Sequence, residues 1–327
     1  MTQDKSNTMR VAILDDYLGI ALDSADWSRI QANATVDVYR DNLKDQKALA
    51  DRLGPYDVLV IMRERTPFPR SLLERLPKLK LLVTTSGRNR SIDLAACADR
   101  GVVACHTEGG HTPTAELTWA LILALAKRIP EEDRATREGH WGVRPGLGLA
   151  GRTLGVVGLG KLGSAVARIG KAFDMRVIAW SQNLTDARAR EAGVERVDKE
   201  TLLRESDFVT LHLVLSDRTR GLIGAADVAR MKPTAYLINT SRGPLVDEAA
   251  LAVAVNEGVI AGAGLDVFGI EPLPADHPLR TLPNSVVTPH VGGFVQENYR
   301  LWYGGAVEDI LAWLDGKPIR VMKQPPA

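Results

Sequence analysis

Cysteine is scarce in this chain. Only Cys97 and Cys105 occur among 327 residues, too few for a disulfide framework and without metal-type spacing, so a reduced and buried pair is expected. Neither sign of charge dominates: 41 basic residues against 40 acidic ones leave a net charge of +1. That removes any electrostatic case for nucleic acid or an anionic membrane as the main partner. No long hydrophobic run is present. The most apolar stretch, WALILALA at 119–126, falls well short of the roughly 20 residues that span a bilayer, and reads as a buried helix. The polar opening MTQDKSNTM precedes no apolar h-region, so no secretory signal is expected and a cytoplasmic location is the simple reading. An H-E-x-x-H helix, a Cys/His cluster and a G-x-S-x-G elbow are also missing. Neither a metal centre nor a serine nucleophile is therefore expected.

What the sequence does have is rhythm. Short apolar segments, VAILDD (11–16), TVDVYR (35–40), DVLVIM (57–62), KLLVTT (80–85) and GVVAC (101–105), alternate with segments of helical composition. Repeated βα units of this kind predict a doubly wound parallel sheet with helices on both faces. A long apolar segment, HTPTAELTWALILALA, then predicts a helix in which Thr112 caps and Pro113 takes the first helical position. Apolar nearly all round, it is expected to be sandwiched. Behind the Gly- and Pro-rich RPGLGLAGR (144–152) a second series begins, with strands predicted in 153–158, 176–180, 208–213, 235–240, 261–266 and 285–290. Six strands with helical intervals suit a dinucleotide-binding sheet. The segment 298–316 reads as a helix that returns to the first domain. The expected division is therefore 1–107 with 294–327, and 108–293 between them.

The stretch VVGLGKLG (156–163) meets the G-x-G-x-x-G pattern at Gly158, Gly160 and Gly163. Alone the pattern is weak. Here it closes a strand and opens a helix, which is where it has physical meaning: a tight turn, close approach of a pyrophosphate to bare backbone, and close helix–strand packing. Lys161 and Leu162 complete the turn, and the helix start offers unpaired N–H groups to phosphate. The acid expected about 20 residues on, to bind the ribose diol, is missing. The strand ends in Trp180-Ser181-Gln182-Asn183. Ser181 and Asn183 can hydrogen-bond a ribose hydroxyl or a 2′-phosphate, with no charge to exclude the phosphate. The choice between NAD and NADP stays open. Arg188 could meet a 2′-phosphate, though a solvent-facing helix residue is the commoner outcome.

Ligands of open α/β sheets bind beyond the carboxyl ends of the strands. There the second series carries Thr240-Ser241-Arg242, then Asp266, then Glu271, then His290-Val291-Gly292. One guanidinium, two carboxyl groups and one imidazole on a single edge suit hydride exchange between a 2-hydroxy acid and a 2-oxo acid. Arg242 offers bidentate carboxylate recognition. His290 titrates in the right range for an acid/base. Glu271 could orient it by triad logic, and Asp266 could accept from a nicotinamide amide. Taken singly, each of these residues is more often structural. Their coincidence on one edge is what favours chemistry.

The sequence resembles the D-isomer-specific 2-hydroxyacid dehydrogenases over roughly residues 10 to 320. The carriers are GLGKLG, HLVLSDRTRGLI, MKPTAYLINTSRGPLVDEAAL, AGAGLDVFGIEPLP and TPHVGG, in that order. The resemblance implies a Rossmann cofactor domain inserted into a flavodoxin-like substrate domain, a homodimer formed through the cofactor domain around 110 to 145, and NAD or NADP as cofactor. It assigns catalysis to Arg242, Glu271 and His290, nicotinamide binding to Asp266, and a cofactor-side loop to His212, Leu213 and Val214. Formate dehydrogenases of the same superfamily have Gln where this chain has Glu271, which disfavours formate. It also implies that the loop TTSGRNRSID (84–93) offers Ser86, Gly87 and Arg88 to the substrate carboxylate. The loop departs from the usual G-x-G-V-D-N-I-D, and Arg88 adds a charge that many members lack. Val214 departs from a common Pro. Arg63 and Arg65 in MRERTP could also border the cleft, which the sequence does not settle. Two alternatives stand beside this reading: a nucleotide-sensing co-regulator, and a phosphite-type dehydrogenase on the same scaffold.

Overall fold

The computed structural model describes residues 8–87, 89–110 and 112–323, and the chain divides into two units, 1–110 with 294–327, and 111–293. The breaks thus fall at 110/111 and 293/294, against the expected 107/108 and 293/294.

In the first unit, β1 (Met9–Ile13), β2 (Ala34–Val38), β3 (Val58–Ile61), β4 (Leu81–Thr84) and β5 (Val103–His106) form a five-stranded sheet in the order β2-β1-β3-β4-β5, all parallel. This is the flavodoxin-like order. The inner strands are largely apolar, and β3 (VLVI) is an unbroken run of Val, Leu and Ile, because both faces are covered. Alternation sends Ala12, Leu59 and Leu82 into one core layer, and Val11, Ile13, Val58, Val60, Leu81 and Val83 into the other. The second layer is completed by the helix Gln296–Leu314, whose Tyr299, Trp302, Tyr303, Ala306 and Ile310 are buried in it.

The second unit carries β6 (Thr153–Val157), β7 (Arg176–Trp180), β8 (Glu195–Arg196), β9 (Phe208–Leu211), β10 (Tyr236–Asn239), β11 (Gly262–Leu265) and β12 (Val286–Val287). The order is β12-β11-β10-β9-β6-β7-β8, again all parallel. It is the dinucleotide-binding order 3-2-1-4-5-6 extended by one strand. Six strands were expected and seven form. The additional one, β8, is a two-residue exposed edge strand, too short and too charged to show a pattern. The helix Thr112–Ala126 buries Ala115, Trp119, Leu121, Ile122 and Leu125 against one face of this sheet. It is not covered all round: Glu116 and Ala120 are exposed. Thr112 is its first residue rather than its cap, and residue 111 lies outside the described residues.

Candidate active site

The first observation concerns the glycine turn. Fully buried β6 delivers the chain to Gly158, whose φ of 99° is the left-handed region that glycine tolerates. A Cβ on Gly163 would stand 1.9 Å from the Gly158 carbonyl oxygen, so only glycine lets helix and strand approach this closely. A Cβ on Gly160, in contrast, would meet nothing within 4 Å. The bare surface at Gly160 therefore serves no packing within the protein. The helix Lys161–Ala172 starts here with no side-chain cap, leaving its first N–H groups available to an anion. A dinucleotide pyrophosphate fits this cradle.

At the end of β7, Trp180 and Ser181 are half-buried while Gln182 and Asn183 are exposed. No acid stands among them. Arg188 is exposed and pairs with Glu191 at 2.8 Å, the ordinary fate of a surface helix residue. The loop after β9 is mixed. The His212 Nε2 lies 2.9 Å from Thr210 Oγ1, and burial pushes the imidazole down to about 3. A histidine neutral over the whole working range is no acid/base at neutral pH. Its carbonyl oxygen would be 2.6 Å from a Cβ on Gly158, so it packs directly against the turn. Leu213 is half-buried and Val214 is 67% exposed.

Neighbouring strands β10, β11 and β12 bring three loops side by side. After β10, Thr240 is held by Thr118 (Oγ1 to Oγ1, 2.8 Å), Ser241 donates to the Leu211 carbonyl at 2.6 Å, and Arg242 Nη1 donates to the Ser241 carbonyl at 2.7 Å. Gly243 follows. A Cβ there would sit 2.0 Å from the carbonyl carbon of Phe268, so glycine is what lets the arginine loop press against the loop carrying Glu271. In that loop, Glu271 Oε1 accepts the Phe268 N–H at 2.9 Å and Oε2 lies 2.6 Å from His290 Nδ1. His290 adopts φ 54°, a backbone region that non-glycine residues occupy at a cost and that collects at functional sites.

The electrostatics follow from this geometry. Burial alone raises the Glu271 carboxyl; the His290 hydrogen bond and charge, the Phe268 N–H and the Arg242 charge together outweigh it, leaving the group below its ordinary value. Glu271 is thus an anion placed to orient the imidazole. Asp266, 1% exposed, behaves differently. Its oxygens accept from Thr288 (2.6 Å), Val291 N–H (2.8 Å) and Gly292 N–H (2.9 Å), and burial raises it despite those bonds. These contacts fix the loop in which His290 stands. Thr114 closes the same loop by donating to the Gly292 carbonyl at 3.1 Å.

Comparison with known proteins now adds the name of a family. The family model described as "D-isomer specific 2-hydroxyacid dehydrogenase, NAD binding domain" matches residues 119–292. The chain is 39% identical over 298 residues to a glyoxylate reductase of Korarchaeum cryptofilum, covering 89% of this chain and 90% of that one. The chain belongs to the D-isomer-specific 2-hydroxyacid dehydrogenase family. This dehydrogenase is also 38% identical over 279 residues to a D-3-phosphoglycerate dehydrogenase of Archaeoglobus fulgidus, across 84% of its own length but 53% of the relative's. Among solved structures, a phosphoglycerate oxidoreductase of Vibrio cholerae superimposes with a TM-score of 0.88 at 35% identity, covering 94% of this chain and 99% of that one. The dehydrogenase is accordingly an NAD-linked oxidoreductase of the 2-hydroxy acid class with a Rossmann cofactor domain.

Ser86 and Gly87 lie directly after β4, where Ser86 takes φ 68° and its N–H donates to Thr107 Oγ1 at 3.0 Å. Arg88 lies outside the described residues. One contributor to the site gave no sequence signal. Glu248, the first residue of the helix Glu248–Asn256, accepts the Gly269 N–H at 2.7 Å and so braces the Glu271 loop. An acid in a first helical turn is commonplace, and nothing in the sequence links it to Gly269. Among the described residues, no group of three or more His, Cys, Asp or Glu side chains could hold a metal ion.

Proposed function

We propose that the chain interconverts a 2-hydroxy acid and a 2-oxo acid with NAD or NADP, using Arg242, Glu271 and His290 as its chemical groups. The observation that supports this most directly is the 2.6 Å contact between His290 Nδ1 and Glu271 Oε2, beside the arginine loop. The bound nicotinamide supplies or takes up the hydride. The Arg242 guanidinium holds the substrate carboxylate and polarises the carbonyl oxygen. The His290 Nε2–H donates the proton to that oxygen during reduction and recovers it during oxidation. Glu271 keeps the imidazole oriented and supports its positive charge. Ser86 and Gly87 of the first unit are assigned to the substrate carboxylate, and Arg88 with them. The uncapped helix start at Lys161, Leu162 and Gly163 holds the pyrophosphate, and Ser181 with Asn183 holds the ribose without discriminating the 2′-phosphate.

We also infer a homodimer formed through the segment around 110 to 145. Trp141 is 94% exposed, with Ile129 at 52% and Val143 at 46%, bare apolar side chains in the segment that such a dimer would cover. A cytoplasmic location accords with the balanced charge, and no helix among the described residues is long and apolar enough to cross a membrane. Steady-state reduction of a panel of small 2-oxo acids, with NADH and NADPH in turn, tests the activity. Absence of turnover with every acid and both cofactors would overturn it.

A further inference from the structure

Arg242 and Glu271 stand in separate loops, and one side chain on the next helix ties those loops together. Arg242 follows β10 and Glu271 follows β11. From Arg242 the chain makes a single turn, Gly243–Leu245, and enters the helix Glu248–Asn256 at its first residue, Glu248. Backbone and side-chain bonds fix that entry. The Ile223 N–H donates to the Leu245 carbonyl at 3.0 Å, and the Asp247 N–H donates to the Ile223 carbonyl at 2.9 Å. The Asp247 side chain caps the helix by accepting the Ala250 N–H at 3.0 Å. Glu248 therefore reaches out from a fixed base.

Its carboxyl meets the Glu271 loop at one defined point. Glu248 Oε1 accepts the Gly269 N–H at 2.7 Å, and the preceding amide, the Phe268 N–H, donates to Glu271 Oε1 at 2.9 Å. Two consecutive amides thus serve two different carboxylates. Releasing the Gly269 amide loosens the residue whose N–H holds Glu271. Gly243 lets the two loops touch, since a Cβ there would stand 2.0 Å from the Phe268 carbonyl carbon, and the Glu248 bond adds a directed tie at that contact. Burial raises the Glu248 carboxyl; the Gly269 N–H and the His277 charge oppose this and the Glu271 charge adds to it, leaving the group above its ordinary value. Around Glu271 the charged groups are His290 and Arg242. The bond to Gly269 needs an oxygen acceptor of that reach, and a neutral acceptor can make it.

We propose that Glu248 is a positioning residue: it locks the Glu271 loop to the Arg242 segment, so that the Glu271 carboxylate is held against His290 Nδ1 in fixed relation to the guanidinium. This rests on the 2-oxo acid reading above and adds the residue that sets the geometry of its three groups. What acts is the reach of the side chain. The competing role is that of an ordinary acid in a first helical turn, which favours the helix dipole and needs only the charge. An aspartate at 248 would serve that role equally but, one methylene shorter, would not reach Gly269.

The test separates reach from charge with three variants: Glu248→Gln keeps the reach, Glu248→Asp keeps the charge and Glu248→Ala keeps neither. Kinetics use the acid of the panel above that wild type reduces fastest. Glu248→Ala and Glu248→Asp should lower kcat by about tenfold with KM changed by less than about threefold, because the groups are present but misplaced. Both should move the midpoint of the pH profile to lower pH, since the imidazolium loses a carboxylate held at hydrogen-bond distance. Glu248→Gln should recover most of the lost kcat. NMR titration of the His290 imidazole in the cofactor-loaded proteins, with its signal assigned by its loss in His290→Ala, reads the same contact without turnover. The midpoint should fall in Glu248→Ala and Glu248→Asp, and Glu248→Gln should lie nearer to wild type than Glu248→Asp does. That order supports the proposal even if no acid is reduced, and inactivity would then count against the catalytic reading alone. Glu248→Asp lying nearer to wild type than Glu248→Gln, or a Glu248→Ala protein that keeps the wild-type midpoint and loses only melting temperature, overturns it.

Discussion

His290 Nδ1 and Glu271 Oε2 stand 2.6 Å apart although the two residues come from loops after different strands, β12 and β11. The contact occupies Nδ1, so the proton transfer proposed for His290 would use the other ring nitrogen, Nε2. Asp266 holds the His290 loop through two backbone N–H groups and Thr288, and Glu248 holds the Glu271 loop through Gly269. Both partners of the pair are therefore anchored by carboxylates outside it.

Replacing His290 by Ala should lower kcat for 2-oxo acid reduction by about 10²-fold or more, the usual effect of losing a general acid. Steady-state kinetics on the purified variant would show it. Turnover within a few fold of wild type would remove the proton-transfer role.

Changing Glu271 to Gln should move the pH profile of reduction to lower pH. Reduction needs the protonated imidazole, and a neutral amide no longer favours that form. Burial would raise Glu271, yet its bonds and neighbouring charges keep it ionised, so the carboxylate is present over the working range. A kcat/KM profile with the same midpoint in wild type and variant would make Glu271 a structural residue.

Two glycines three residues apart should respond oppositely. Gly160→Val places its Cβ in open space, so the melting temperature should hold while the cofactor dissociation constant rises by about tenfold or more, from the obstructed pyrophosphate. Gly163→Ala drives its Cβ to 1.9 Å from the Gly158 carbonyl oxygen and should cost about 1–3 kcal/mol of stability. Thermal melts paired with cofactor titration separate the two. Equal destabilisation would contradict the cradle.

Ser181→Asp supplies the carboxylate that the end of β7 lacks. It should lower kcat/KM with NADPH by about tenfold or more and leave NADH within a few fold, because the charge repels a 2′-phosphate. Parallel loss with both cofactors would place the ribose elsewhere.

Stability should also depend on pH through Asp309. Fully buried beside Arg320 (Nε at 2.9 Å), its carboxyl is pushed up to about 7 by burial, which outweighs the arginine. A folded-state value above the unfolded one means that the stabilisation is complete below the ordinary carboxylate range and is lost as pH rises through about 7. Stability should accordingly fall between about pH 4 and 7, by an amount on the order of a few kcal/mol, with the melting temperature falling alongside it, and Asp309→Asn should flatten the slope. Melts over that range check it. A slope that persists in the variant would assign the effect to another group.

Much of this was legible in the sequence. The inner strands announce themselves as apolar runs because parallel sheets bury both faces, and the glycine turn is written in three residues whose missing side chains have separate reasons. Arg242, Glu271 and His290 could be placed on one edge because strand ends converge in this fold. What stayed hidden depends on contacts between residues far apart in the chain. The charged pair Glu195–Arg196 carries no strand pattern, and Glu248 looks like any acid in a first helical turn.

The helix Gln296–Leu314 closes a core layer whose strands were all laid down before residue 107. On a ribosome, those strands emerge and then wait through the entire 111–293 insertion before Tyr299, Trp302 and Tyr303 become available to cover them. The inserted unit can reach its native state during synthesis, while the unit that begins the chain must finish last, its apolar layer uncovered in the interval.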